Sequence, residues 1–209
     1  MARVRSLPAA VVLGALAVIL SPTASADRLS FNYAQADYVE AEFPNAGDDF
    51  DGGGLVLSAD ITPTMYGYLR GRTVSLGGDG NGDADLNAYS AGIGFHRAAG
   101  GNDVFTPFAL FTVEHLALEP DGGSDENETG WGAEVGFRRA YGRWFQLDAS
   151  AKYYDVNDLG NNDFGYQVEG QIDLSERFAL SIAYEDIQEY EQLSAGIRLY
   201  FHSPFTGPD

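Results

Sequence analysis

Apolar and polar residues alternate one for one through most of this chain, and the run that closes it shows the rule most plainly. Leu193, Ala195, Ile197, Leu199 and Phe201 fall on one face at period two, while Ser194, Gly196, Arg198 and Tyr200 fall on the other. The spacing recurs in Phe145, Leu147, Ala149, Ala151 and Tyr153 against Gln146, Asp148, Ser150, Lys152 and Tyr154. It recurs again in Phe164, Tyr166, Val168, Ile172 and Leu174 against Gln167, Glu169, Gln171 and Asp173. Ten such segments are predicted as strands: residues 29–42, 54–61, 65–76, 85–97, 104–118, 130–139, 144–155, 164–174, 178–185 and 192–201. No helical periodicity is sustained, and no second domain or repeat beyond the hairpin rhythm emerges.

The connections between these segments alternate in kind. Short turns are expected at 62–64, 98–103, 140–143 and 175–177, and acidic or polar, mostly longer loops at 44–53, 77–84, 119–129, 156–163 and 186–191. Short turns at one end and longer loops at the other are the pattern of an all-β, transmembrane, antiparallel up-and-down β-barrel in an outer membrane. Ten strands is the favoured count and eight the alternative. An even count places both termini on the short-turn, periplasmic side, with the acidic loops outside.

The first residues fix the route. Arg3 and Arg5 precede an apolar stretch at 11–20 that is short for a bilayer span, and Ala24-Ser25-Ala26 has the small-x-small form of a cleavage site. Residues 1–26 are therefore expected to be a removed secretory signal, 27–201 the barrel and 202–209 a short tail. The precursor carries 31 acidic and 12 basic residues, a net −19; without Arg3 and Arg5, 31 acids face 10 bases. So acidic a chain is a poor nucleic-acid partner. It contains no Cys, which removes disulfide and thiolate chemistry despite the export route.

Periodicity alone does not say which face is outside. In a soluble, lipocalin-like barrel Phe145, Leu147 and Val168 would turn inward around an apolar ligand. Aromatics near both ends of the apolar face argue for lipid instead. Phe95, Phe105, Phe137, Phe145, Phe178 and Phe201 lie toward the turns, and Tyr89, Trp131, Tyr153, Phe164 and Tyr184 toward the loops. Two such bands match interfacial girdles. The polar face then lines the lumen, and it collects Arg70, Arg72, Glu134, Arg138, Asp148, Lys152, Glu169, Asp173, Glu185 and Arg198. Placing Arg70 and Arg72 inward buries Tyr66 and Tyr68 and sets Met65, Gly67, Leu69 and Gly71 toward lipid. Between Val104 and Leu118 both faces are apolar, Phe108 and Leu110 point inward, and Pro107 deletes a ladder donor, so a bulge is expected there.

From residues 29–201 the chain resembles the small bacterial outer-membrane β-barrels, the OmpA/OmpX-like and porin-like proteins of the Gram-negative cell envelope. The opening strand Leu29-Ser30-Phe31-Asn32-Tyr33, the strand-turn rhythm and the final strand carry that resemblance. It implies an integral outer-membrane location, lipid and lipopolysaccharide as neighbours, and recognition of Leu199, Tyr200 and Phe201 by the outer-membrane assembly machinery. Family members usually end at the aromatic residue, whereas His202 to Asp209, with Pro204 and Pro208, continue here as a nonstrand tail.

Other chemistry is thinner. Asp79, Asn81, Asp83 and Asp85 alternate as the first ligands of a calcium loop do, but Ala84 replaces the usual Gly and Ser90 stands where a bidentate Glu belongs. A solvated acidic loop is the plainer reading, and no cofactor is expected. His115 beside Glu114 near a loop end invites a rim hydrolase acting on lipid, yet no G-x-S-x-G nucleophile is present and alternation sends the two side chains to opposite faces. His96 is expected as a hydrogen-bonded lumenal residue, and Asn127-Glu128-Thr129 is a sequon without meaning in a bacterial-type protein. The expectation is a monomeric, nonenzymatic barrel with a structural, surface-interaction or minor small-solute channel role. A lumen of about ten strands is only slightly wider than its own side chains fill, which favours a closed one.

Overall fold

The computed structural model describes residues 29–42, 49–76, 84–97, 105–120, 126–156, 163–187 and 190–201. Among them ten strands run in chain order: β1 (Tyr33–Glu42), β2 (Asp49–Thr62), β3 (Met65–Leu76), β4 (Ala84–His96), β5 (Phe105–Pro120), β6 (Glu126–Tyr141), β7 (Phe145–Val156), β8 (Asp163–Asp173), β9 (Phe178–Ile187) and β10 (Tyr190–Tyr200). Each pairs antiparallel with its chain neighbours, and β1 meets β10 from Tyr33 opposite Tyr200 to Glu42 opposite Glu191. The sheet is a closed ten-stranded barrel, not an eight-stranded one. Closure leaves no unpaired edge, which is what a sheet must achieve to sit in hydrocarbon.

The alternation predicted from sequence becomes an inside and an outside. Val135 is 61% exposed and Ile182 and Ile197 57% each, whereas Arg198 and Glu185 are 2% exposed. Apolar side chains face out and charges face in, so the inverted, lipocalin-like arrangement of the faces is overturned. β3 obeys the same rule: Leu69 is exposed, while Tyr66 is buried and Arg70 and Arg72 engage lumenal partners. The outward aromatics form two groups. Phe105 with Phe137 and Tyr141 with Phe145 lie toward the turns, and Trp131, Tyr153 and Phe164, tilted against one another in series, lie toward the loops, as do Tyr166 and Tyr184.

Two local expectations are corrected. No bulge occurs at Pro107: the register passes from Phe105 opposite Arg139 through Pro107 opposite Phe137 to Phe108 opposite Gly136 without a shift. The proline sits where the neighbouring strand has run out, since β4 ends with His96 opposite Phe108. There Arg97 N still donates to Pro107 O at 3.3 Å, while the Arg97 carbonyl, denied the N–H that proline lacks, lies 3.0 Å from His96 Nδ1. The irregularity falls instead between Asp60 and Thr62, beside the Pro63 turn. The strands also run further into the acidic stretches than the apolar pattern indicates. Asp49 to Gly53 belong to β2, and Glu126 to Thr129 pair with residues 115–118 of β5.

Three layers fill the interior. Val39, Ala41, Phe50 and Val74 form an apolar cluster at the loop end, and Phe31, Tyr66 and Leu110, with Tyr68 and Phe108 against them, form one at the turn end. Charged and amide side chains occupy the middle. Glycine makes room where a large neighbour needs it: a Cβ on Gly94 would stand 2.0 Å from the Tyr66 ring, and one on Gly136 2.7 Å from Phe108. Gly142, in the turn between β6 and β7, has φ of +65°, a conformation that strains other residues.

Candidate functional site: the lumenal charge layer

The middle layer is built by side chains that reach past their immediate neighbours. Arg138 and Asp148 are directly opposite on β6 and β7, and form an ion pair with Nε 3.0 Å from Oδ2. Arg198 does something the register alone does not provide. On β10 it faces Ala179 of β9, and Glu169 on β8 faces Ala183 of β9. Those two alanines and Ser181 leave a shallow trough, and across it Arg198 Nη2 meets both Glu169 oxygens at 2.9 Å. Its Nε donates to Gln35 Oε1, and its guanidinium lies 3.9 Å over the Tyr33 ring.

Glu185 is the hub of the layer. From β9 it takes Lys152 Nζ of β7 at 2.6 Å, Arg70 Nη2 of β3 at 3.0 Å and Arg72 Nη2 at 3.4 Å. β9 and β3 are separated around the barrel by β10, β1 and β2, so these contacts cross the lumen. Opposite walls touch. Lys152 also lies 4.0 Å from Glu134 and donates to Gln167 at 2.5 Å, and Arg72 bonds Gln192. At the turn side Gln146 Nε2 donates to both Asp173 oxygens at 3.1 Å, and the Tyr200 hydroxyl donates to Gln171 at 2.7 Å.

All ten charged residues of the predicted network therefore line one interior. Among the described residues the space they leave includes a chamber of about 50 Å³ bordered by Tyr68, Glu134, Arg138, Asp148, Lys152 and Glu169 among others, and one of about 10 Å³ beside Ser90 and Glu114. The former has room for a few water molecules. Pairing is also what makes such charges tolerable, since an ion in a low-dielectric interior is costly unless partnered.

Other candidates are scattered. Asp79, Asn81 and Asp83 lie outside the described residues, and Asp85 sits on β4 accepting from Ser75 Oγ at 2.9 Å. No described group of three His, Cys, Asp or Glu side chains is placed to hold a metal ion. Glu114 is buried and bonded by Ser90, whereas His115 is on the outer wall with Nδ1 3.0 Å from Thr129 Oγ1 and its ring beside Tyr89. The two side chains diverge. Of the terminal trio, Tyr200 is buried in the lumen, and Phe201 N donates to Asn32 O at 3.1 Å. The tail and the signal segment lie outside the described residues.

Sequence reasoning left the neutral members out of the network: Gln35, Gln146, Gln167, Gln171 and Gln192 each hydrogen-bond to one of its charged residues. Each falls on the charged face at period two, so the signal was present but carried no charge to draw attention.

No protein-family model matches the chain, and no curated protein matches it. Solved structures do resemble it in shape. The NanC porin superposes with a TM-score of 0.50 at 7% identity, covering 79% of this chain and all of that one. Neisserial surface protein A gives 0.45 at 18% identity, over 82% of this chain and 98% of that one. The KdgM porin, solved with disordered oligogalacturonate, gives 0.45 at 9% over 80% and 99%. What the chain shares with the NanC porin is the fold, a closed antiparallel β-barrel.

Proposed function

We propose that this chain is an integral outer-membrane protein whose barrel is closed at rest, serving a structural or surface-interaction role without enzymatic activity. The observation that carries this reading is the cross-lumen hub: Glu185 on one wall is bonded to Arg70 and Arg72 on the other, and Arg138 of β6 reaches Ser30 O and the Tyr33 hydroxyl beside β1. A lumen bridged at that density does not pass a solute. The apolar outer face between two aromatic groups supports a membrane setting. In that orientation the turns face the periplasm, and the acidic loop end faces outward, where lipopolysaccharide phosphates would be met through bridging cations.

The test is gel mobility of the mature chain from a bacterial outer-membrane fraction, with and without boiling in detergent. A heat-dependent shift in membrane-embedded protein is expected. Recovery in the soluble fraction with no shift would overturn the reading.

A further inference from the structure

The segment 29–32 lies ahead of β1 yet is buried inside the turn-end mouth: Leu29 is 4% exposed and Phe31 1%. The paired register of β1 with both β10 and β2 begins at Tyr33, and one backbone bond, Phe201 N to Asn32 O at 3.1 Å, reaches back into the segment. Side chains carry most of its other anchoring. Phe31 lies against three groups: the Arg138 guanidinium carbon is 3.9 Å from its ring centroid, the His96 ring stacks on it at 4.3 Å and 8°, and the Tyr66 ring is tilted against it at 4.5 Å and 34°. Arg138 Nη1 also donates to Ser30 O at 2.8 Å. Asn32 grips β2 at two points, its Nδ2 donating to Asp60 Oδ2 and its Oδ1 accepting from Asp60 N, both at 2.7 Å.

His96 is itself fixed from two directions. Its Nε2 is 2.8 Å from Asp60 Oδ1, and its Nδ1 faces the Arg97 carbonyl that Pro107 leaves without an N–H.

From this geometry we propose that residues 29–32 are a releasable stopper for the turn-end mouth, seated by the contacts of Phe31 with Arg138, His96 and Tyr66 and separable from closure of the barrel. Release breaks the Phe201 N to Asn32 O bond and uncovers the vestibule of Asp60, Tyr66, His96 and Arg138 to the periplasm, while the ten paired registers, which begin at Tyr33 on β1, and the Glu185 layer further in remain.

The chain has no cysteine, so a single introduced one reports cleanly. Leu29→Cys and, as an exposed control in the turn at the same end, Glu176→Cys are reacted with a water-soluble maleimide, and labelling is read only in the heat-shiftable, folded band. Leu29→Cys is expected to label about tenfold or more slowly than the control, the factor that burial of one Phe side chain supports. Adding Phe31→Ala should bring it to within about twofold of the control while the folded band persists, because the anchor lost is the buried ring. Three results overturn the proposal: fast labelling of Leu29→Cys alone, slow labelling that survives Phe31→Ala, or loss of the folded band in Phe31→Ala and in the milder Phe31→Leu alike.

Discussion

Replacing Glu185 by Gln keeps the shape of the side chain and removes the one negative charge that Lys152, Arg70 and Arg72 share. With Glu185 and Lys152 each 2% exposed and the two arginines 17% and 12%, solvent does little to screen what is left. Lys152 retains Glu134 at 4.0 Å, Arg72 retains Gln192 and Arg70 stays within the field of Asp37, but all three lose the charge of Glu185. Breaking a buried pair on one side costs about 3–5 kcal/mol, most of it the penalty of the unpaired charge. Arg72→Met is the internal control. It deletes the longest of the three contacts, leaves Glu185 with two cations, and should cost no more than about 1.5 kcal/mol. The assay is reversible urea unfolding in lipid vesicles, followed by tryptophan fluorescence and by the gel shift. Equal costs for the two variants, or a cost below about 1 kcal/mol for Glu185→Gln, would refute the hub and mean that water reaches the layer.

Three further outcomes follow from other parts of the barrel. Arg198→Lys should lose about 1.5–3 kcal/mol in the same unfolding assay, because an ammonium cannot reproduce the two-oxygen grip on Glu169 together with the Gln35 bond and the stacking on Tyr33. Gly94→Ala should lower the temperature of the gel shift through overpacking worth about 1–3 kcal/mol, and Tyr66→Leu in the same chain should recover part of it, since the Cβ collides with that ring. Ile182→Arg should cost about 2–4 kcal/mol in a bilayer if its outward position lies near the midplane; a near-zero cost would mean that this face meets water.

The faces were legible because a strand leaves only two choices per residue, and one charged side chain such as Arg198 settles the choice for its whole strand. Arg138 with Asp148 was almost as accessible, being a direct cross-strand pair. Arg198 with Glu169 was not. That contact depends on the alanines of β9 being too small to stand between β10 and β8, a property of a third strand. Contacts of Glu185 with β3 depend on the width of the closed barrel, which no local pattern contains. The stopper was hidden for a related reason: Phe31 continues the alternation of β1, so residues 29–32 read as strand, although the paired register starts only at Tyr33 and Asn32 adds a single backbone bond, from Phe201 N. Around Pro107 the missing donor was correctly noticed, but its consequence hinged on where β4 ends. Strand ends in the acidic stretches were missed because Glu126 to Thr129 offer no apolar face, and they are strand through their partners on β5.

Single-channel recording of the folded, purified chain in a planar lipid bilayer tests the closed lumen most directly. The account predicts a bilayer that stays at its baseline current after insertion has been verified by the gel shift. Stable, discrete open levels from the unaltered protein would contradict it, because the proposed closure rests on the contacts from Glu185 to Arg70 and Arg72.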